Sequence, residues 1–481
     1  MARVMTATPP TQPKMSKILG ADGKPMSLAY EASSSSSRLG SWGANDISPT
    51  GADATELERL KNRSRDMERN TPWANRAFNA DVANEIGTGI KPKPDTPDDD
   101  LNTELKELHK DWHIYADADG VLNVYGLQAL AARSRRESGE VFIRIRQRRT
   151  SDGLPCPVQF QLIESDYCPA SLNCAQPNGN KVKSGIEFNG IGQRVAYWMY
   201  RQHPADGGNL ADMVRIPAEQ IIHHYIPLRP GQIRGRPVGV QAFVRAYTYD
   251  KYDDAELVRK ESRAHFTGVI SRPEFDEDDY LYDPMTGHPL DGDVPALNIQ
   301  SGTFPSLLPG EDIKMFEGDK GGAGDVDFAR RQLLGIAAAY GVPYEILTGD
   351  YSKINDRVWR AIVNQYRREL EQTIELYTIQ QICRGMWGAF VDAAVLAGAV
   401  NVPMDYALKP HAYKRANFIP QAWPYVHPQQ DIGALREQVD MGLNSLQGVQ
   451  TSRGLDPDQV AKERKEDNER EKANGLSESQ E

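Results

Sequence analysis

Cysteine is scarce in this chain: four among 481 residues, at positions 156, 168, 174 and 383. They form no CxxC pair and have no histidine close by, so neither a zinc ribbon nor a redox motif is written. Reduced, mostly buried thiols are expected instead. Long apolar runs are absent too. None approaches the roughly 18 residues a membrane-spanning helix needs, and the opening residues MARVMTATPPTQPKMSK lack the apolar centre of a signal peptide. The expectation is a chain that stays in the cytosol where it is made, with no membrane partner. An excess of basic residues is also missing. The formal charge of -11 is the wrong sign for a protein that binds DNA by releasing counterions from phosphate.

Catalytic signatures are equally sparse. Gly318–Gly324 is glycine-rich, but no Gly-Lys-Ser/Thr follows, so it reads as a hinge rather than a P-loop. His109 and His113 have helical i,i+4 spacing, yet residue 110 is lysine where a zinc protease needs glutamate, so packing roles are expected. His223 and His224 lie in a strand pattern, which sends their rings to opposite faces and prevents joint ligation of one ion. No GxSxG elbow occurs. No catalytic residue, metal or cofactor is assigned. The rival reading is a metal-dependent nuclease whose acidic segment 274–279 gathers Mg²⁺ through Asp276 and Asp278. Consecutive acids in a Pro/Gly-rich insertion more often form a solvated run.

Length and patterning predict a large α+β body with smaller attachments. A mean hydropathy of -0.59 points to long exposed or subunit-facing helices. Residues 1–54, rich in Pro, Ser, Gly and Ala, read as an arm without a packed pattern. Helical signals run from Ala54 to Glu85, with Pro72 suited to a helix start. Further helices are expected at about 101–115 and 124–138. The alternation of Val141, Ile143 and Ile145 with Phe142, Arg144 and Arg146 predicts a strand, followed by strands near 158–163, 185–189, 194–200 and 220–225. A long helix fits 239–266, and another fits 327–340, with Asp325 and Asp327 placed to cap it. Between them, residues 268–325 hold thirteen acidic against three basic residues, nearly the whole net charge of the chain. The longest helical pattern spans 355–397, with Trp359, Ile362, Val363, Tyr366, Leu370, Ile374 and Tyr377 on one stripe and Gly385 and Gly388 as candidate bends. A strand signal at Trp423-Pro424-Tyr425-Val426 precedes helices at 428–441 and 457–472.

The order of these pieces resembles that of lambda-type portal proteins of tailed phages, from about Arg65 to Glu463. Separate motifs carry the resemblance: Arg69-Asn70-Thr71-Pro72 with Gly87-Thr88-Gly89-Ile90, Gly139-Glu140-Val141-Phe142, Leu162-Ile163-Glu164 with Asp166, and Gly185-Ile186-Glu187-Phe188. They continue through Ile216-Pro217-Ala218, Ile221-Ile222-His223, Arg229-Pro230-Gly231-Gln232, Asp254-Ala255-Glu256-Leu257, Leu308-Pro309-Gly310-Glu311 and Gly335 to Asn355.

The resemblance implies a ring-forming, non-enzymatic α+β portal fold. Mapped by order, it has a mixed wing (55–238), a two-helix stem (239–267 and 326–343), an acidic α/β clip insertion (268–325), a tunnel loop (344–355), a long wing helix with its return (356–424) and a helical crown (425–481). It implies a homo-oligomeric ring of twelve subunits at one capsid vertex, a virion component assembled in the host cytoplasm. Its implied partners are double-stranded DNA without sequence preference, the large terminase subunit, the major capsid and scaffold proteins, and head-completion and tail proteins. On this mapping Asp350, Tyr351, Ser352, Lys353 and Asn355 face the DNA channel. Asp276, Glu277, Asp278 and Asp279 would meet the motor through charge complementarity. The arginine run from Arg133 to Arg149 supplies subunit or shell contacts through Arg133, Arg135, Arg136, Arg144 and Arg146.

Overall fold

A computed structural model of the chain describes residues 18–19, 25–26, 47–207, 212–265, 268–271, 312–315, 323–424 and 428–474. It divides into two units, residues 1–48 and 49–481. In the first, β1 (Ile18–Leu19) pairs antiparallel with β2 (Pro25–Met26). The rest of the proposed N-terminal arm up to residue 46 lies outside the described residues.

The second unit opens with α1 (Pro49–Asn70), which starts inside the segment assigned to the arm. Pro72 occupies the first turn of α2 (Pro72–Glu85), where its missing N–H costs nothing. After β3 (Lys91–Pro94), the Asp98 carboxylate accepts from the N–H groups of Asp100 and Leu101 and starts α3 (Asp99–Trp112). Asn123 caps α4 (Val124–Ser138) in the same way through Gly126. Gly139, at φ +89°, ends α4, because only glycine enters that region without strain.

Next come β4 (Glu140–Gln147) and β5 (Val158–Ile163). An antiparallel sheet then forms from β6 (Cys174–Ala175), β7 (Lys181–Lys183), β8 (Ile186–Phe188), β9 (Arg194–Tyr200) and β10 (Met213–Pro217), in the order β10-β9-β8-β7-β6. β11 (Ile221–Tyr225) returns to pair with β4 and completes a three-stranded sheet, β11-β4-β5. The period-two pattern in β4 sorts two cores rather than a core from solvent. Val141 and Ile143 pack with Trp112, Phe160 and Phe390, whereas Phe142 packs with Ile186, Tyr197 and Met199.

α5 (Phe243–His265) follows a short 3-10 turn. β12 (Gly268–Ser271) pairs with β13 (Asp312–Met315), and α6 (Ala323–Tyr340) comes after them. Because α6 starts at Ala323, Asp325 and Asp327 lie inside its first turns and not at a cap position. A third core joins Ala77 and Phe78 of α2 to Phe243 and Ala246 of α5 and to Ile336 and Tyr340 of α6.

The chain then forms α7 (Tyr344–Thr348), α8 (Asp356–Thr373), a ten-residue π-helical segment (Ile374–Cys383) and α9 (Arg384–Leu396). The expected long helix is therefore unbroken in path but not in pitch. The i→i+5 hydrogen bonds of the π segment widen each turn and rephase the apolar stripe. Val363, Tyr366, Leu370 and Ile374 are buried as expected, but Tyr377 is only half-buried, and Thr378, Ile379, Ile382 and Cys383 take the inward positions. Gly385 lies in the first turn of α9. It permits close approach to β11, since a Cβ there would sit 2.9 Å from the Ile222 Cδ1.

The remaining elements are α10 (Pro410–Tyr413), β14 (Ala416–Ile419), α11 (Pro428–Asp440), α12 (Leu446–Ser452) and α13 (Pro457–Ala473). β14 pairs with β3. Of the strand expected at 423–426, Trp423 and Pro424 are outside any strand, and Tyr425 and Val426 lie outside the described residues. Trp423 instead donates through its indole N–H to the Asn84 carbonyl at 3.2 Å.

Candidate functional site

The stretch that joins α6 to α8 is built as a rigid base with an exposed tip. Gly341 at φ +73° and Pro343 turn the chain out of α6. α7 sits against α2: Leu347 is buried in the core of α2, α5 and α6, and Arg76 Nε donates to the Ile346 carbonyl at 3.1 Å. Gly349, again at φ +73°, ends α7. The first five residues of the expected tunnel loop are thus helical, and the exposed part begins at Asp350.

Within that tip, the Asp350 carboxylate accepts the Ser352 backbone N–H at 3.0 Å and its hydroxyl at 2.6 Å. Those bonds, with smaller help from the charges of Arg330 and Lys353, hold the Asp350 carboxyl below the ordinary carboxylate range. Tyr351 packs edge-on against Trp359 at 5.3 Å between ring centroids. Asn355 accepts from the Val358 N–H at 2.9 Å and caps α8. Lys353 is exposed and, among the described residues, forms no ion pair with Asp350 or Glu345.

Two buried ionic clusters tie elements of the second unit together. In the first, Glu85 accepts from Arg135 at 2.6 Å, from Arg136 at 2.8 Å and from the Thr378 hydroxyl at 2.6 Å. Asp81 accepts from Arg136 and, at 2.7 Å, from the Tyr366 hydroxyl. α2 and α4 are thereby bound to α8 and to the π segment. Burial would raise the Glu85 carboxyl, but the two guanidiniums outweigh it and hold it at about 2. In the second cluster, Glu140 accepts from Arg234 Nε at 2.7 Å, from His223 Nε2 at 3.0 Å and from the Gly235 N–H at 3.0 Å. Gly235 is held so tightly that a Cβ there would lie 2.0 Å from the Gly139 carbonyl oxygen.

These clusters correct two of the arginine assignments. Arg135 and Arg136 are 2% and 6% exposed and pair through their terminal nitrogens with Glu85 and Asp81 of their own chain, while the Nε of each is buried without a partner among the described residues, so neither presents its charge at the surface. The adjacent arginines of α4 point inward, toward the Asp81 and Glu85 carboxylates one turn apart on α2. Arg133 is also engaged, with Glu68 and with Asn79. Arg146 donates to Gln161 across the β4–β5 pair at 2.6 Å. Arg144 is half-buried, and burial together with the nearby Arg146 lowers its pKa.

The strand histidines diverge as expected, His223 to Glu140 and His224 to Gln381 at 2.7 Å. His109 stacks with His113 and contacts Trp112, Trp387 and Phe390, and burial pushes its pKa down to about 3. Three cysteines are buried, while Cys174 is exposed. Glu164, Asp166 and His203 come close enough to suggest a cation site, but Lys61 and Arg65 already neutralise Asp166, at 3.2 and 2.5 Å. The Asp276 to Asp279 run and Gly318 to Gly322 lie outside the described residues, whereas Ala323 and Gly324 belong to α6.

Burial lowers His223 to about 4 and His224 to about 3, from an ordinary value of 6.5. Both are neutral in the fold, so the unfolded chain takes up protons first as the solution is acidified. Their contribution to stability is full above 6.5 and is lost as pH falls toward the folded values. Glu85 adds a second, lower window: its contribution is full above 4.5 and disappears as pH falls through about 2. The calorimetric unfolding temperature should therefore fall continuously between about pH 7 and about pH 4. A flat profile across that window would contradict the neutral, buried state of both imidazoles.

The exposed tip thus lies between α7, which packs on the core of α2, α5 and α6, and the capped start of α8. The family model for phage portal proteins of the lambda family matches residues 35–373, more than half of the sequence, and the chain belongs to that family. A relative from Halomonas phage phiHAP-1, described as a "probable portal protein", is 25% identical over 437 residues, covering 87% of this chain and 82% of that one. Two solved structures of a gene transfer agent particle are also similar. The neck of the empty particle, computed with C6 symmetry, shows 14% identity and a TM-score of 0.47, covering 88% of this chain and 98% of that one. The neck of the native particle, computed with C12 symmetry, shows 14% identity and a TM-score of 0.45, covering 84% and 94%.

Proposed function

We propose that copies of this chain form a twelve-subunit ring at one vertex of a virion, through which double-stranded DNA is packaged and ejected. In this reading the chain is a structural protein and not the metal-dependent nuclease considered from its acidic segment. Residues 239–267 and 326–343 form the stem, 268–325 the clip, and 425–481 the crown. Asp276 to Asp279 orient the large terminase subunit. Arg144 and Arg146 remain for contacts with a neighbouring subunit or with capsid and scaffold proteins, and the crown and clip meet head-completion and tail proteins.

The observation that carries the proposal is the exposed tip at 350–355, held between α7 and α8 in a portal-family chain. Its one cation, Lys353, beside the anion Asp350 suits a duct that must touch phosphate weakly and let it pass. Lys353→Glu is expected to leave rings intact by negative-stain microscopy and to lower the DNA retained per particle about tenfold, with a weaker dependence on salt. Intact rings with unchanged DNA content would remove Lys353 from the channel.

A further inference from the structure

The C-terminal helices are attached to the body with almost no apolar burial. α11 and α12 bury no side chain, and α13 buries only Pro457. A helix without an apolar face needs some other hold. For α13 that hold comes from α3 and β3. Lys93 Nζ lies 2.6 Å from Asp458 Oδ2 and 3.4 Å from Asp456 Oδ1, and Lys106 Nζ lies 2.6 Å from Asp456 Oδ2. Asp456 also caps α13 by accepting the Asp458 N–H at 3.2 Å, so the gripped residue is the one that starts the helix.

Beyond these contacts, a groove of about 810 Å³ separates the two sides. The wall formed by β3 and α3 carries Lys91, Lys93, Lys106 and Lys110 against Glu107. The facing wall carries Asp456, Asp458, Glu463 and Glu466 against Lys462. The walls thus bear formal charges of +3 and -3, and only the end near residues 456–458 is closed by ion pairs. Against Lys93, burial disfavours the charge, but the Asp458 and Asp456 carboxylates outweigh it and raise its pKa.

We propose that α13 is an electrostatic strap, which closes over the basic wall at low ionic strength and lifts away, pivoting at 454–457, when salt screens the pairs. Lys106 and Asp458 are 46% and 68% exposed, so water and ions reach the contacts. Pairs of this kind each change a closed-to-open ratio by only about 1.5- to 5-fold. Three of them with one buried proline behind them leave the ratio open to salt. The screening length falls from about 10 Å at 0.1 M to about 3 Å at 1 M, so the longer-range attraction between the two walls is lost first and the pairs at 2.6 and 3.4 Å are screened last.

Hydrogen exchange read by mass spectrometry on the full chain tests this. Amides of 457–473 should exchange about tenfold faster in about 500 mM than in about 50 mM sodium chloride, while those of α4 stay unchanged. The double variant Lys93→Glu, Lys106→Glu should exchange fast at both salt concentrations and keep the unfolding temperature of the parent. Pairing Lys93→Glu with Asp458→Lys should restore slow exchange at low salt. Salt-independent exchange of α13 in the unaltered protein, or parental protection in the double variant, would overturn the proposal.

Discussion

Glu140→Ala is expected to cost about 3–5 kcal/mol, the largest loss we anticipate from a single truncation in this chain. Glu140 is fully buried, and the Arg234 guanidinium it serves is 1% exposed. Removing the carboxylate leaves the His223 ring N–H and the Gly235 N–H without their acceptor and the buried Arg234 cation with backbone carbonyls but no counter-charge. Proteins of ordinary size have only about 5–15 kcal/mol in total. The variant should therefore be recovered mainly as insoluble protein, or unfold at much lower urea. Glu140→Gln keeps an oxygen acceptor at nearly the same volume and should fall between the two. An unfolding midpoint for the alanine variant within the error of the parent would mean that the cluster relaxes or admits water.

Glu85→Ala should be nearly as severe, about 3–5 kcal/mol, because it strands the buried Arg135 guanidinium and leaves Arg136 with Asp81 alone. It also removes the acceptor of the Thr378 hydroxyl, so its effect should extend to the π segment. Hydrogen exchange should accelerate first in residues 374–383, before the strands of the central sheet lose protection. Adding Arg135→Met and Arg136→Met to Glu85→Ala should recover part of the loss, since an apolar side chain needs no partner. If the triple variant is less stable than the single one by the sum of separate truncations, the cluster is not acting as a unit.

Much of the fold was legible because local signals and tertiary environment agreed. The strands at 158–163 and 194–200 and the helix at 124–138 coincide with their periodic patterns. Other features were hidden for identifiable reasons. A π turn has no sequence period of its own, so the stripe through Tyr377 looked continuous until the i→i+5 bonds displaced it. The Arg135–Arg136 pair looked like surface charge, because only the packing of α4 against α2 reveals that Asp81 and Glu85 face it. A better reading was available in outline: acids four apart on one helix and adjacent arginines on another are a charge-matched pair of faces. The exposed tip at 350–355 was located by its breaker residues, Gly341-Val342-Pro343 and Gly349. The short helix α7 just before it was not, since five residues are too few to show a period.

The placement of β4 between two cores has a consequence in time. One side of that strand is completed by neighbours made soon afterwards, β8 and β9. The other needs Trp387 and Phe390, which follow β5 by more than 220 residues. At a ribosomal pace of about 5–20 residues per second, Val141, Ile143 and Phe160 wait roughly 10–50 s for this part of their cover, although Trp112, Leu127 and Ala131 of the same core are made before them. During that interval the sheet face lacks the share of its core that α9 supplies. The yield of the chain in a heterologous host should therefore depend on how quickly chaperones reach that face, more than on the stability of the finished molecule.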